Sequence, residues 1–406
     1  MNNLVTSNKS RLLLWIVLGG VMWTKAAALL SMPFLTLYLY KNTSLSIAAI
    51  GLVVGAQPLA LCFGGVVAGY LTDIFNRQKL ILFSVAMSGL VFFGFFLTSK
   101  YFFHDLQIIA FAVLNLLNGF CAALFSPVSR VMISDAAATP QENIKFLHMR
   151  YFALNIGGTL GPLCGAYAGL SGNNKAFIVT SILYFIYAIV LWFALRNYKY
   201  EVAEHSVAKF SFEAFLQALV ALFKNKLFIA LLLSLTLFNV LYVQLSSNLG
   251  LIINKNILNG TLFFSWMLSL NALLVVVLQP LIFNLIKARR QSMVVFCGFI
   301  LITACSVPLI FFAVTKITVV FFVTCLTIAE ILIFPTGSIL VTEVTPERYR
   351  GIAFGVIDLE YFGSAIGPAI GGLALQYFNV SMFYAGILII SILCGIIFLP
   401  FLKKHI

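Results

Sequence analysis

Two stretches of the sequence read as copies of one another. The first is Leu124-Phe-Ser-Pro127, followed by Asp135, Pro140 and Gly157-Gly-Thr-Leu-Gly161-Pro162-Leu-Cys-Gly165. The second is Ile333-Phe-Pro335, followed by Glu343, Pro346 and Gly363-Ser-Ala-Ile-Gly367-Pro368-Ala-Ile-Gly371-Gly372. The Gly-Pro pairs stand 206 positions apart and the upstream prolines 208, in a chain of 406. One ordered set of features therefore recurs at half the chain length, the mark of a fold built from two related halves.

Composition says where such halves live. The chain is 62% hydrophobic and 9% charged, with 40 Phe and 28 Gly. A soluble domain carries roughly a quarter charged residues, and this much apolar surface cannot stay dissolved in water. A soluble enzyme, a disordered chain, a disulfide scaffold and a nucleic-acid binder are excluded. A bilayer span needs about 20 mostly apolar residues, and twelve such runs occur. Six fall near 12–40, 46–70, 80–99, 107–134, 147–170 and 176–195, and six near 227–253, 261–285, 291–314, 317–342, 351–377 and 380–402. The expected fold is an all-α membrane protein, twelve helices in two pseudo-symmetric six-helix bundles, 1–195 and 227–406. Between them lies a polar linker, 196–226, whose second half, Phe210–Phe223, has the periodicity of an amphipathic helix lying on the membrane. The seven cysteines all fall inside apolar runs without CxxC spacing, which reads as small core residues.

The net charge of +13 is explained by topology. Of the 25 Lys and Arg, eighteen gather on one side of the spans. The other side has only Lys41, Lys100, Lys175, Lys255 and Lys316, and Lys25 and Arg130 lie within spans. The positive-inside rule then puts both termini and the linker in the cytoplasm, in a multi-pass protein of the inner membrane. No nucleic-acid partner is implied.

Charges inside spans cost several kcal/mol unless paired or hydrated, and they mark transport pathways. Lys25 lies about 20 Å into the first span and Glu330 about 18 Å into the tenth, at 1.5 Å per residue. Asp358, Glu360 and Arg130 lie shallower. Desolvation favours a neutral carboxyl group and a nearby cation opposes it. Glu330 is accordingly a candidate proton carrier, with a structural ion pair to Lys25 or a hydrogen bond as the alternative. Asp358 and Glu360 are about 200° apart on a helix. Glu360 falls on the glycine stripe, and which of the two lines a cavity stays open. Glycines 157, 161 and 165, and 363, 367 and 371, form one stripe per copy, suited to close helix approach. Pro162 and Pro368 permit bends there, and static packing and a moving hinge fit equally. Asn239, Tyr242, Gln244, Ser246, Ser247 and Asn248, with Gln57, Asn115, Asn118 and Asn271, are further cavity candidates. No Walker A loop, HExxH or nucleophile elbow occurs, so neither an enzyme nor a cofactor or metal is expected.

One loop carries a family resemblance. Gly69-Tyr-Leu71-Thr-Asp73-Ile-Phe-Asn76-Arg77-Gln-Lys79 resembles the loop signature of the major facilitator superfamily. The glycine-proline run of span eleven looks like that superfamily's antiporter motif. Glu330 to Pro335 with Pro346 to Gly351 is similar to its twelve-helix multidrug/proton antiporter branch. The resemblance implies that Asp73 helps clasp the cytoplasmic face shut, with Gly69, Arg77 and Asp135 in the same gate. Two departures stand out: Ile74 replaces a basic residue, and Asn76 replaces a glycine. Asn tolerates positive φ, which would preserve the turn. The matching loop of the second half, Asn284 to Arg290, keeps its basic residues but has no aspartate. The implied activity is proton-coupled efflux of a small amphipathic molecule by alternating access, by a monomer whose partners are substrate, protons and lipid. Transport of one metabolite such as a siderophore, in either direction, is the alternative.

Overall fold

The first span is a bent rod rather than a straight one. In the computed structural model α1 (Asn2–Ser31) passes through a 3₁₀ turn at Met32–Phe34, where Pro33 cannot donate to a helical ladder, into α2 (Leu35–Asn42). The structure describes residues 2–102, 104–137, 139–196, 212–286, 288–346 and 349–403, and every regular element among them is helical. The first half continues with α3 (Ile47–Ile74), α4 (Arg77–Tyr101), α5 (His104–Asp135), α6 (Pro140–Tyr167) and α7 (Lys175–Arg196). After α8 (Phe212–Lys224) the second half repeats the pattern. It begins with α9 (Lys226–Tyr242), which bends at Val243–Leu245 into α10 (Asn248–Asn256). Then come α11 (Gly260–Ile286), α12 (Gln291–Phe311), α13 (Lys316–Val344), α14 (Arg350–Ile357) and a 3₁₀ turn at Asp358–Glu360. The series ends with α15 (Tyr361–Tyr377) and α16 (Val380–Lys403).

All twelve expected spans coincide with helical segments, and among the described residues ten of them are long and apolar enough to cross a membrane. The other two, α6 and the broken pair α14–α15, carry the repeated glycine-proline motif. Each packs between a helix of its own half and one of the other, α6 between α1 and α11, and α15 between α9 and α3. Protein covers much of what lipid covers elsewhere, so low hydropathy is tolerated. Helix α6 also starts at Pro140, earlier than its apolar run, because Thr139 caps it by accepting from the Glu142 N–H at 3.2 Å.

The glycine stripes set the spacing of these pairs. A Cβ on Gly157 would overlap the Met22 carbonyl oxygen of α1, and one on Gly363 would overlap the Thr236 carbonyl oxygen of α9. Gly161 meets Ala26 and Gly367 meets Val240, so α1 and α9 match at an offset of 214. The same offset relates Gly55, pressed against Ala365, to Ser269, whose Oγ donates to the Thr159 carbonyl at 2.7 Å. Both contacts join the two halves. Apolar side chains form two cores, one from Leu13 to Leu195 and one from Leu222 to Phe401; the latter also takes in Phe34 and Leu37.

The halves meet most closely at the end away from the chain termini. There Phe34 stacks edge-on against Phe264 at 5.7 Å, Tyr167 against Trp266 at 6.3 Å, and Gly372 abuts Ile47. Towards the other end Lys25, Arg130 and Tyr151 are exposed although they lie within spanning helices. A hollow therefore opens between the halves on the side of the termini.

Candidate functional site

Glu330 stands at the midpoint of α13 and is held by its own half. Its Oε1 accepts from Tyr242 Oη at 3.1 Å and its Oε2 from Asn271 Nδ2 at 2.8 Å. Asn271 Nδ2 also donates to Thr327 Oγ1 at 2.9 Å, one turn before Glu330, which fixes the amide against α13. Phe334 braces Tyr242 edge-on at 5.3 Å. The socket thus joins α9, α11 and α13, and both carboxylate oxygens are satisfied by neutral donors. Lys25 of α1 faces it from the first half, its stem lying against Gly157 of α6. Lys25 acts electrostatically on Glu330, but it makes no ion-pair contact within 4.0 Å with a described carboxylate. The direct ion pair that the sequence allows is not formed in this conformation. The hydrogen-bonded alternative is.

A second cluster surrounds the break in the eleventh span. Asp358 points to the first half: its Oδ2 lies 2.5 Å from where a Cβ on Gly65 of α3 would be, and Arg130 of α5 acts on it. Glu360 turns towards Asn239 of α9, whose Oδ1 accepts from Ser364 Oγ at 3.0 Å. Three residues per turn in the 3₁₀ segment keep the two carboxylates on different sides. Asp358 alone of the pair faces across to the other half.

Arg150 reads in the sequence as an ordinary basic residue at a span end, and the structure buries it. It is 7% exposed, with Nη2 donating to the Ser126 carbonyl at 3.2 Å and to Ser126 Oγ at 3.0 Å. Its Nε has no partner among the described residues, and the charge acting on it most is the like charge of Arg130. Only the Ser126–Ser129 spacing on α5 hints at this in the sequence.

At the end with the termini, Arg77 Nη1 pairs with Asp135 Oδ2 at 2.6 Å. Gly69 and Asp73 belong to α3, but their side chains lie outside the described residues, as do Lys287, Arg348 and linker residues 197–211. Asn76 needs no positive φ, since its φ is −59°. It replaces glycine by acting as a cap, accepting from Gln78 N–H at 2.9 Å and Lys79 N–H at 3.4 Å. Most other cavity candidates are packing groups. Gln244 and Asn248 donate to the Gly367 and Pro368 carbonyls, Asn115 to Val53 and Val54, and Asn118 to Met32 Sδ. Of the ten, Tyr242 and Asn271 reach the central carboxylate. Cys164 and Cys297 are exposed rather than core residues, and the other five cysteines are buried.

Known proteins share this design. The family model described as Major Facilitator Superfamily matches residues 14–359. The uncharacterized MFS-type transporter YqjV of Bacillus subtilis is 30% identical over 394 residues, covering 96% of this chain and 92% of that protein. A Na(+), Li(+), K(+)/H(+) antiporter of Planococcus maritimus is 23% identical, with 83% of each chain covered. A multi-drug resistance efflux pump PmrA homolog of Lactococcus lactis is 29% identical over 41% of this chain and 40% of its own. Among solved structures, the nucleoside transporter NupG superposes with a TM-score of 0.75 at 14% identity, over 97% of this chain and all of the other. The two-half fold with its inter-half hollow, and a family match spanning most of the sequence, lead to one conclusion: the chain belongs to the major facilitator superfamily.

Proposed function

We propose that this protein is a proton-coupled efflux transporter of small amphipathic molecules, working as a monomer in the inner membrane. Its two bundles, 1–195 and 227–406, rock about the central hollow, and the termini and the open end of the hollow face the cytoplasm. The observation that carries this reading is Glu330, a carboxylate at mid-membrane depth, held by Tyr242 and Asn271 and facing Lys25 of the other half. Ionised, Glu330 attracts Lys25 and draws the halves together; protonated, it loses that attraction. Proton binding thus has a different free energy in the two access states, which is what coupling requires. Arg130 and Asp358, facing one another where the hollow opens, close as a charge pair when that end shuts, alongside the Gly69–Asp73–Arg77–Asp135 gate. Relatives that are themselves an antiporter and an efflux pump homolog lend support.

The test is dye extrusion from proteoliposomes under an imposed pH gradient. Glu330→Gln is expected to reduce gradient-driven transport to the level of empty vesicles while leaving downhill exchange measurable. Undiminished gradient-driven transport in that variant removes Glu330 from the mechanism. A second reading, dedicated transport of one anionic or zwitterionic metabolite, is favoured by one observation, the exposed Lys25 ammonium without a contact counter-ion among the described residues. Saturable transport of a siderophore, with no dye in a panel competing, would select it.

A further inference from the structure

The start of α12 differs from the start of α4, its counterpart in the first half. Asn76 closes the α4 terminus with its side chain, whereas the N-cap of α12, Arg290, makes no side-chain cap bond. Its guanidinium reaches away instead, Nη2 donating to the Phe401 and Leu402 carbonyls at the end of α16 at 2.7 and 2.9 Å. The first turn of α12 lines a cavity of about 600 Å³ together with Arg289, Arg290, Glu343 and Phe401, among others, and Gln291 and Ser292 are its lining residues from that turn. Ser292 is 4% exposed and lines this cavity, and its hydroxyl has no hydrogen-bond partner among the described residues; Arg290 Nε is buried without a partner among them. A helix N-terminus, an unpartnered hydroxyl and the Arg289 side chain line one space, with the charge of Arg290 beside it, and form a seat for an anion.

Its depth identifies the source of the anion. Only residues 287–290 separate the spanning helices α11 and α12, so the cavity lies at the level where both leave the membrane. Glu343 forms part of its wall and no described cation pairs with it within 4.0 Å. Its charge disfavours a dianion and tolerates a monoanion. We infer that this cavity seats the phosphodiester of a membrane phospholipid headgroup, held by the α12 N-terminus, Ser292 and Arg289, with the positive charge of Arg290 alongside.

The test uses the full-length protein, delipidated in maltoside micelles, with thermal unfolding as the readout. Phosphatidylglycerol and phosphatidylcholine are expected to raise Tm more than a phosphate-free glycolipid with the same acyl chains. The double variant Arg289→Gln, Ser292→Ala is expected to need roughly tenfold more phospholipid for the same shift. Glu343→Gln is expected to create a response to inorganic phosphate that the native protein lacks, a gain that damaged folding cannot mimic. Equal stabilisation by the glycolipid, an unchanged phospholipid response in the double variant, or native stabilisation by inorganic phosphate alone overturns the assignment.

Discussion

Lys25 and Asn239 occupy the same place in the two halves, each packed beside the first glycine of its stripe, Gly157 in one and Gly363 in the other. Their surroundings differ. Lys25 is exposed in the hollow and faces a carboxylate of the other half, whereas Asn239 is 2% exposed and spends its amide on Leu235 and Ser364 of its own half, beside Glu360. The repeat has kept the backbone packing, since a Cβ on the first glycine of either stripe would overlap a carbonyl oxygen of the neighbouring helix. The intramembrane charges have separated by sign, with Lys25, Arg130 and Arg150 in the first half and Glu330, Asp358 and Glu360 in the second. On the proposed function, a symmetric scaffold would let the halves rock and an asymmetric charge pattern would give a proton something to change. In the proposed mechanism, coupling lies where the repeat fails.

Four experiments would break or sharpen this comparison. The largest effect is expected from Glu330→Gln, with gradient-driven transport abolished; Glu360→Gln, within the second half, should leave measurable coupling. If the two variants are indistinguishable in proteoliposomes, the distinction between a central and a peripheral carboxylate falls. Next comes Lys25→Asn, which makes the two first helices alike. Coupling between pH and substrate affinity is expected to weaken roughly tenfold, read as the ratio of substrate binding at two pH values. Adding Asn239→Lys to it should not restore the ratio, because that lysine would meet Glu360 rather than Glu330.

Smaller effects separate packing within a half from packing between halves. Gly363→Ala forces α15 away from α9 and is expected to cost about 1–3 kcal/mol in thermal or denaturant unfolding. Gly55→Ala acts between the halves, against Ala365, and should instead favour the state in which this end is parted. Faster thiol labelling of a cysteine placed at Ala369, with Tm little changed, is the expected sign. The smallest effect belongs to Ser269→Ala, which removes one hydrogen bond across the interface to Thr159, about 1 kcal/mol. It should appear as a shift between access states rather than as loss of fold.

Depth in the membrane is legible in a sequence because it is one-dimensional, a count of residues multiplied by a fixed rise. That count alone places Lys25 and Glu330 near mid-depth, and the twelve apolar runs match their helices with ends displaced by a few residues, except that α1 and α6 begin ten and seven residues before their runs. Facing is harder, since it depends on how each helix is rotated against its neighbours. Ten polar residues are equal candidates in the sequence, and packing selects Tyr242 and Asn271 while using Gln244, Asn248, Asn115 and Asn118 to satisfy nearby groups, mostly backbone carbonyls. Arg150 shows the same limit. Its position near a span end suggests water, but the hydroxyls and carbonyl of α5 enclose it. The break at Asp358–Glu360 also has no proline or glycine within it to announce it.

By itself the sequence determined that the chain lives in lipid, how many times its helical segments run across, that its halves repeat, and which few charges stand where hydrocarbon disfavours them. Those properties follow from hydropathy, spacing and composition, which are additive along the chain. Only the tertiary structure decided which charge meets which, that Lys25 faces Glu330 without touching it, and at which end the halves part. Such pairings link residues up to 305 positions apart, as Lys25 and Glu330 are, and they are set by helix rotation and close packing, to which no local pattern gives access.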